Sequence, residues 1–326
     1  MALSGAATLA LLFGAAEVGL RLSPWEATAF ALNELPVPGL MGDYVPHQRG
    51  TLVLGEDDAP WPYQFTTNAQ GFRGPLIERQ KPDGVFRIVA LGDSYTWGDG
   101  VDDDAVWVRL LEERLRRCGA VEVVNMGFVG RNTVGEADWL EEKGVALSPD
   151  LVLLGAEPGD AMDVLELDRD WDNRAAMVAS SRPAWLVRSM AWSRVFRVAM
   201  GSRIARRSRA IQRPADAEGA WLRVRESLQR IQRLTEGAGA DLLVLGIAPG
   251  PAEDWTLARL EQEAQAAGVA WYPVAPRVDE RGDRPGWWEI PGDGHYTPEG
   301  NAALADVVHQ ALLERGLLPE GLRCGS

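Results

Sequence analysis

Residues 87–98 read RIVALGDSYTWG. The run from 85 to 91 is short, apolar and rich in β-branched residues, which is typical of a buried strand in a parallel sheet. It ends in a Gly-Asp-Ser turn at Ser94, and a helical pattern follows over residues 106–117. A strand, a tight turn and a helix place the turn at the carboxyl edge of a sheet, where open α/β sheets bind their ligands. The pattern therefore predicts that Ser94 lies at the edge of the sheet where a ligand would bind.

Two roles are open to Ser94 at this point. A serine at a strand end can be a nucleophile, and the preceding Gly92 lets the backbone turn sharply and lets a substrate approach. A serine in an ordinary loop between a strand and a helix instead caps the helix. The tripeptide alone favours the cap, so the choice depends on partner residues elsewhere in the chain.

The composition argues against several classes of function. The chain has 326 residues, enough for one large domain or two small ones. Its 47 acidic and 33 basic residues give a net charge of -14, which argues against nucleic-acid binding because that requires a basic surface. The only cysteines, Cys118 and Cys324, lack a metal-type spacing, although a disulfide between them stays open. We therefore expect no metal and no other cofactor.

The N-terminal residues 1–22 are nearly all apolar, with Glu17 and Arg21 as late exceptions. A membrane-spanning helix needs about 20 such residues, so a membrane anchor is one interpretation. A cleaved signal peptide, ending at the small residues 14–16, and a buried or amphipathic helix are the others. An anchor or a signal peptide predicts an extracytoplasmic protein that is membrane-anchored or secreted.

Strands and helices alternate along most of the remaining chain. Apolar runs that predict strands begin near residues 86, 121, 151, 242 and 269. Helical patterns lie at residues 106–117, 134–143, 220–235, 254–267 and 298–312. This alternation predicts an α/β fold in which a five-stranded parallel sheet is covered on both faces.

The predicted organisation has a main domain with additions. Its parts are a hydrophobic segment (1–22), a loop-rich extension packed on the core (23–84), the main domain (85–316) with a helical insertion (161–219), and a tail (317–326). Within the insertion, residues 184–204 have helical spacing and a basic face. They predict a helix that lies either on a membrane surface or over the site.

A second motif lies between the last predicted strand and the last predicted helix, where residues 292–300 read GDGHYTPEG. Residues two apart in an extended segment point to the same side, so Asp293 can orient His295. A loop at this position reaches the same sheet edge as Ser94. His295 is therefore the candidate general base for Ser94, with Asp293 fixing its tautomer. The two motifs together favour a nucleophilic serine over a helix cap.

These motifs resemble those of the SGNH (GDSL-type) hydrolases. The similar segments are residues 91–98, 125–130, 149–152 and 293–295, together with a turn at 68–74 that resembles one found before the serine block in membrane-anchored members. The resemblance covers about residues 65–160 and 220–315. It implies a flavodoxin-like three-layer α/β/α sandwich, and a reaction of ester hydrolysis or acyl transfer.

The resemblance also implies residue roles. Ser94 would be the nucleophile, His295 the base, and the backbone N–H groups of Ser94 and Gly130 would bind the oxyanion. Asp293 is the expected partner of His295. The spacing Asp-x-His departs from the commoner Asp-x-x-His, which leaves Asp283 and Glu289 as rivals for that role.

One further departure concerns the oxyanion site. The family supplies a third donor from an asparagine followed by an aspartate after the third strand, and here Gly159 stands before Asp160. Asn132 is the candidate substitute. The resemblance implies that Asp93, Gly159 and Asp160 line the binding site.

The implied protein is a serine esterase or acyl-ester hydrolase of the SGNH type, acting on a small-molecule, glycan or lipid acyl ester. An O-acetyltransferase is one alternative. A catalytically weak SGNH-like protein that binds a glycan or a protein partner is the other. The oligomeric state stays open.

Overall fold

The computed structural model describes residues 8, 11–19, 47, 49–54, 60–165, 216–248, 256–282 and 289–323. The chain divides into two units, Met1–Val45 with Trp171–Gln212 and Pro46–Asp170 with Arg213–Ser326. In the first unit, residues 11–19 are helical. Among the described residues, no helix is long and apolar enough to cross a membrane.

Several predictions lie outside the described residues. These are the helix at 184–204, most of the insertion at 161–219, the rival carboxylate Asp283, and Cys324 of the candidate disulfide. The second unit carries everything described below.

The described strands of this unit form two sheets. Strands β1 (Arg49–Leu54) and β2 (Trp61–Thr66) make an antiparallel pair. The main sheet contains β3 (Phe86–Gly92), β4 (Val121–Gly127), β5 (Leu151–Ala156), β6 (Asp241–Gly246) and β7 (Trp271–Pro273). Its order is β4-β3-β5-β6-β7 and all of its pairings are parallel. The strand order reverses at β3, which makes the carboxyl end of β3 the switch point where doubly wound sheets bind ligands.

The helices connect these strands. They are α1 (Ser94–Trp97), α2 (Trp107–Arg116), α3 (Thr133–Trp139), α4 (Gly159–Leu165), α5 (Ala217–Gly237), α6 (Leu257–Ala267), α7 (Val274–Asp279) and α8 (Pro298–Glu314). A π-helical turn at Leu140–Gly144 and a 3-10 turn at Val145–Leu147 extend α3, and a second 3-10 turn lies at Glu320–Leu322.

Helices cover both faces of the main sheet. In β3, Ile88 and Ala90 belong to one core with residues of α2, α7 and α8. The alternate residues Val89 and Leu91 point to the other face and are equally buried, and α3, α4 and α6 all pack on α5 in the second layer. Complete burial of an aliphatic side chain stabilises the fold by about 1.5–3 kcal/mol. The predicted three-layer α/β/α sandwich with five parallel strands is confirmed.

Two element predictions need correction. The strand expected over residues 269–274 spans only Trp271–Pro273, and Val274 begins α7 instead. Pro273 has no N–H with which to continue the ladder, so the strand ends there. The helix expected over residues 134–143 ends its α-helical part at Trp139 and continues as the π-helical turn.

Candidate active site

Ser94 is the first residue of α1, directly beyond the carboxyl end of β3. Gly92 makes this turn feasible, since a Cβ there would lie 2.1 Å from Thr96 Oγ1 and 2.7 Å from the carbonyl oxygen of Gly155. Asp93 caps the helix by accepting a 2.9 Å hydrogen bond from the backbone N–H of Tyr95. Ser94 is thus relieved of the capping role and remains partly exposed.

The structure brings Ser94, His295 and Asp293 together. His295 Nε2 lies 2.7 Å from Ser94 Oγ, and His295 Nδ1 is hydrogen-bonded to Asp293 Oδ1. The same carboxylate oxygen accepts a 3.2 Å hydrogen bond from the backbone N–H of His295. The rival Glu289 forms a backbone bridge with Tyr296, and the imidazole hydrogen bond goes to Asp293. Asp293 therefore holds the position that orients the imidazole.

Two tyrosines hold the histidine loop in place. The Tyr95 ring lies on the imidazole of His295, with centroids 4.9 Å apart, and its hydroxyl donates to the carbonyl of Gly294 at 3.3 Å. Tyr296 is buried and donates its hydroxyl to the carbonyl of Ile247. Sequence reasoning missed Tyr95, whose only signal was its place directly after Ser94.

The electrostatic surroundings favour a protonatable imidazole. Burial lowers the pKa of His295, but the hydrogen bond to Asp293 and the charge of Asp99 outweigh it, so that the pKa lies above its usual value of 6.5. Burial also raises the pKa of Asp293, and the hydrogen bond to His295 reverses this to a net lowering. The pair is arranged to stabilise a positive charge on the imidazole.

Asp99 is a buried carboxyl that sequence reasoning also missed. It is 5% exposed, and Tyr63 of strand β2 donates a hydrogen bond to it. Burial raises the pKa of Asp99, against the lowering effects of His295 and Tyr63. It lies in a Gly-Asp-Gly sequence after α1, where no periodicity indicates that a strand from another part of the chain will cover it.

The loop after β4 packs against the turn at residues 92–94, called here the serine turn. The N–H of Phe128 donates to the carbonyl of Gly92 at 2.9 Å, and the N–H of Arg131 donates to Phe128 at 3.1 Å. Gly130, within this turn, has a φ of 72°, which favours glycine. The expected donor role of the Gly130 and Ser94 N–H groups stays a prediction.

Asn132 has a structural task next to this loop. It is buried and its side-chain oxygen accepts hydrogen bonds from the N–H groups of Val134 and Gly135, at 3.1 and 3.2 Å. Asn132 is therefore the N-cap of α3. Because the side-chain oxygen is used in this cap, only the amide nitrogen Nδ2 of Asn132 could donate to an oxyanion, and that role stays a prediction.

A carboxylate lies where the resemblance implies a third oxyanion donor. The N–H of Gly159 donates to Glu157 Oε2 at 2.8 Å, and Asp160 accepts a 3.0 Å hydrogen bond from Thr133 Oγ1. One oxygen each from Asp93, Glu157 and Asp160 lie within 4.8 Å of one another. Such oxygens suit a hard cation, and two of the three residues, Asp93 and Asp160, are buried.

A buried carboxyl group and a buried guanidinium lie near this cluster. Glu136 is fully buried, and burial and the charge of Asp93 raise its pKa well above its usual value. The guanidinium of Arg131 lies between two rings, 4.2 Å from the centroid of Phe128 and 3.7 Å from that of Trp139. Sequence reasoning identified neither residue: Arg131 lies in a loop without a periodic signal, and Glu136 is a charged residue on the buried side of α3.

The chain matches no protein-family model and no curated protein sequence. Several solved structures are similar to it. TesA is 18% identical with a TM-score of 0.45, over 71% of this chain and 99% of TesA. A putative lipolytic protein of the G-D-S-L family from Desulfitobacterium hafniense is 12% identical with a TM-score of 0.43, over 69% and 99%. A lipase/acylhydrolase from Enterococcus faecalis is 16% identical with a TM-score of 0.43, over 71% and 96%.

At this level of similarity the reaction must be inferred from the site itself. The likeness concerns the arrangement of strands and helices. The five-stranded parallel sheet and the covering helices are those of the three-layer α/β/α sandwich that the sequence predicts.

Proposed function

We propose that this protein is a serine esterase of the SGNH type. The observation that carries the proposal is the hydrogen-bonded series from Ser94 Oγ through His295 to Asp293, with 2.7 Å between Oγ and Nε2. A serine hydroxyl is a weak nucleophile until an adjacent base takes its proton, and the base needs a third group to fix its tautomer. All three groups are present at the edge where this fold class binds ligands.

The reaction proceeds in two halves. Ser94 Oγ attacks the ester carbonyl carbon while His295 Nε2 takes the hydroxyl proton, and the oxyanion that forms is stabilised by backbone N–H groups of Ser94 and Gly130. Collapse of this intermediate breaks the bond to the alcohol, which leaves with the proton from His295. A water molecule then attacks the acyl-enzyme with His295 as base, which releases the carboxylic acid and restores Ser94.

Negative charge near the serine restricts the substrate. Asp93, directly before Ser94, lies close to Glu157 and Asp160, and like charges repel strongly where water is excluded. We expect neutral acyl esters, carried by a small molecule, a glycan or a lipid, to be preferred over esters with an anionic group near the carbonyl.

Two alternatives remain, and one of them has a specific observation in its favour. Glu157 beside Gly159 places an acceptor where a donor is implied, which favours a catalytically weak protein that binds a glycan or a protein partner. Replacing water by a sugar hydroxyl in the second half-reaction would make the same site an O-acetyltransferase.

We also propose that the protein lies outside the cytoplasm, anchored or secreted, because residues 1–22 are nearly all apolar. Fractionation of cells with the full chain and with residues 1–22 deleted tests this location.

The decisive experiment is intact-mass measurement after exposure to a fluorophosphonate, on wild type and on Ser94→Ala. One phosphonyl adduct that is absent from Ser94→Ala supports an activated serine. Folded wild type that stays unlabelled over hours contradicts the esterase and favours the binding alternative. Turnover of acetyl and longer acyl esters, with water or a sugar as acceptor, then separates hydrolase from transferase.

A further inference from the structure

Arg73 is a buried arginine, 3% exposed, that lies outside the Ser94–His295–Asp293 series. Its guanidinium donates to one carboxylate and four backbone carbonyls. The acceptors are Asp103 Oδ1 at 2.8 Å and the carbonyl oxygens of Trp97 at 3.2 Å, Gly98 at 2.7 Å, Gln64 at 3.1 Å and Val101 at 2.5 Å. The planar fork of an arginine can satisfy this many acceptors at once, whereas a lysine cannot.

Two of these contacts, to Trp97 and Gly98, fall on the far end of the helix that Ser94 begins. Helix α1 has only four residues, and a helix this short is not stable by itself. The last carbonyls of a helix have no partner within the helix. Here Arg73 binds the carbonyls of Trp97 and Gly98, and Asn125 Nδ2 binds those of Thr96 and Trp97 at 3.0 and 3.3 Å. The position of Ser94 therefore depends on groups outside its own segment.

The hairpin β1–β2 binds the segment that follows α1. Trp61 Nε1 donates to the carbonyl of Gly100 at 2.7 Å, and the N–H of Gln64 donates to Asp102 Oδ1 at 2.7 Å. Tyr63 donates its hydroxyl to Asp99. Residues 61–73 thus contact successive residues of the chain directly after the serine helix.

We propose that Arg73 and Tyr63 of the adjoining hairpin are positioning residues for the reaction. Arg73 holds the short helix that begins at Ser94, and Tyr63 holds the buried Asp99, in the arrangement that His295 requires. The inference rests on the proposed esterase function, since it concerns how Ser94 is presented to its base.

Asp99 links the hairpin to the base through charge. Among the described residues, the charged and titratable groups that act on His295 or contact it are Asp293, Asp99, Asp93 and the Tyr95 hydroxyl. The hydrogen bond from Tyr63 lowers the pKa of Asp99 and so favours its charged form. A charged Asp99 in turn raises the pKa of His295. Loss of the Tyr63 hydroxyl should therefore lower the pKa of His295.

The chain offers a matched control for Arg73. Arg87 is also fully buried, in β3, and its guanidinium binds Glu122 and the carbonyls of Leu147 and Glu78, at 2.6 and 2.9 Å. It lies near the start of β3, at the other end of the strand from Ser94. Arg73→Lys and Arg87→Lys each remove a multiply bonded guanidinium and keep its charge, so both should lower the melting temperature.

The readout is the second-order rate constant for fluorophosphonate labelling, measured well below the melting temperature of each variant. A displaced nucleophile loses about 10- to 100-fold in rate, and we expect this for Arg73→Lys while Arg87→Lys labels like wild type. Equal rates for both variants, whether reduced or unchanged, overturn the proposal. Unlabelled wild type overturns the esterase function itself, and this inference with it, before any substitution is compared.

A second pair keeps the test decisive if Arg73→Lys does not fold. Tyr63→Phe removes only the hydroxyl bound to Asp99. Tyr272, in the edge strand β7, donates its hydroxyl to Glu314 at 2.9 Å, and Tyr272→Phe removes that hydroxyl as a control. We expect the acid limb of the labelling rate to move to lower pH in Tyr63→Phe and to stay in place in Tyr272→Phe. An unchanged pH profile in Tyr63→Phe overturns the proposal.

Discussion

The carboxylate of Glu157 folds back onto the backbone N–H of Gly159, with 2.8 Å between Oε2 and N. The Glu157 side chain thus accepts the hydrogen bond of the backbone N–H at position 159, where the family resemblance implies an asparagine. A Cβ at position 159 would lie 2.3 Å from Glu157 Oε1, so an asparagine requires the glutamate to move. The two positions are coupled, and a change at one is best studied with a change at the other.

Restoring the donor should accelerate acylation. The double variant Glu157→Ala/Gly159→Asn removes the acceptor and supplies an amide where the oxyanion develops. One such donor is worth about 100- to 1000-fold in a serine protease, and we expect a gain in labelling rate over Glu157→Ala alone. A double variant no faster than this single variant would show that the geometry around position 159 does not reach the oxyanion.

Asn132 can be tested separately as a cap and as a donor. Replacing an N-cap by alanine costs about 1 kcal/mol of stability, whereas serine caps nearly as well as asparagine. We expect Asn132→Ala to lower the free energy of unfolding and Asn132→Ser to preserve it, in urea denaturation. If the amide nitrogen serves the oxyanion, both variants label more slowly and to the same extent. Labelling at the wild-type rate in Asn132→Ser would leave the cap as the only role.

The pH dependence should reveal the base. His295 must be neutral to take the serine proton, and its pKa lies above the usual 6.5, so the rate should rise with pH through a midpoint above that value. Asp293→Asn removes the hydrogen bond that does most to raise this pKa, so that burial shifts the midpoint to lower pH although Asp99 still opposes it. The plateau should also fall, by about 10,000-fold for the equivalent change in a serine protease. A midpoint that moves to higher pH would contradict the assignment of Asp293.

Close packing between the serine turn and the β4 loop should make Gly127 intolerant of a side chain. A Cβ there would lie 2.1 Å from the backbone nitrogen of Trp97, and backbone cannot move aside cheaply. Overpacking of this kind costs about 1–3 kcal/mol or more, so Gly127→Ala should lower the melting temperature. Gly237→Ala, at the end of α5 with nothing within 4 Å, is the control and should be neutral or stabilising. Equal melting temperatures would mean that the turn repacks.

Much of the fold could be predicted from the sequence because its strands are apolar runs and its helices have a regular spacing of apolar residues. Residues 88–92 of β3, 151–156 of β5 and 242–246 of β6 are apolar and buried, which is typical of central parallel strands. Ser94 and His295 are 201 residues apart. Their meeting was nevertheless predictable, since both follow strands whose carboxyl ends share one edge of the sheet.

What escaped prediction depends on side-chain direction in loops. Nothing periodic indicates that Glu157 turns back to Gly159, or that Arg73 reaches five acceptors from a Pro- and Gly-rich region. The assignment of Asn132 as a donor overlooked that its side-chain oxygen caps α3. In each case the partner is chosen by tertiary packing that a single sequence does not display.

The order of these parts along the chain has a consequence for biosynthesis. A ribosome releases the hairpin and Arg73 first, then Ser94, and the segment bearing His295 only after β7 has emerged, and a domain generally folds as a unit. The serine therefore leaves the ribosome well before the base that would remove its proton. A nascent chain of this protein would stay chemically silent until its last strand and the loop beyond it have folded.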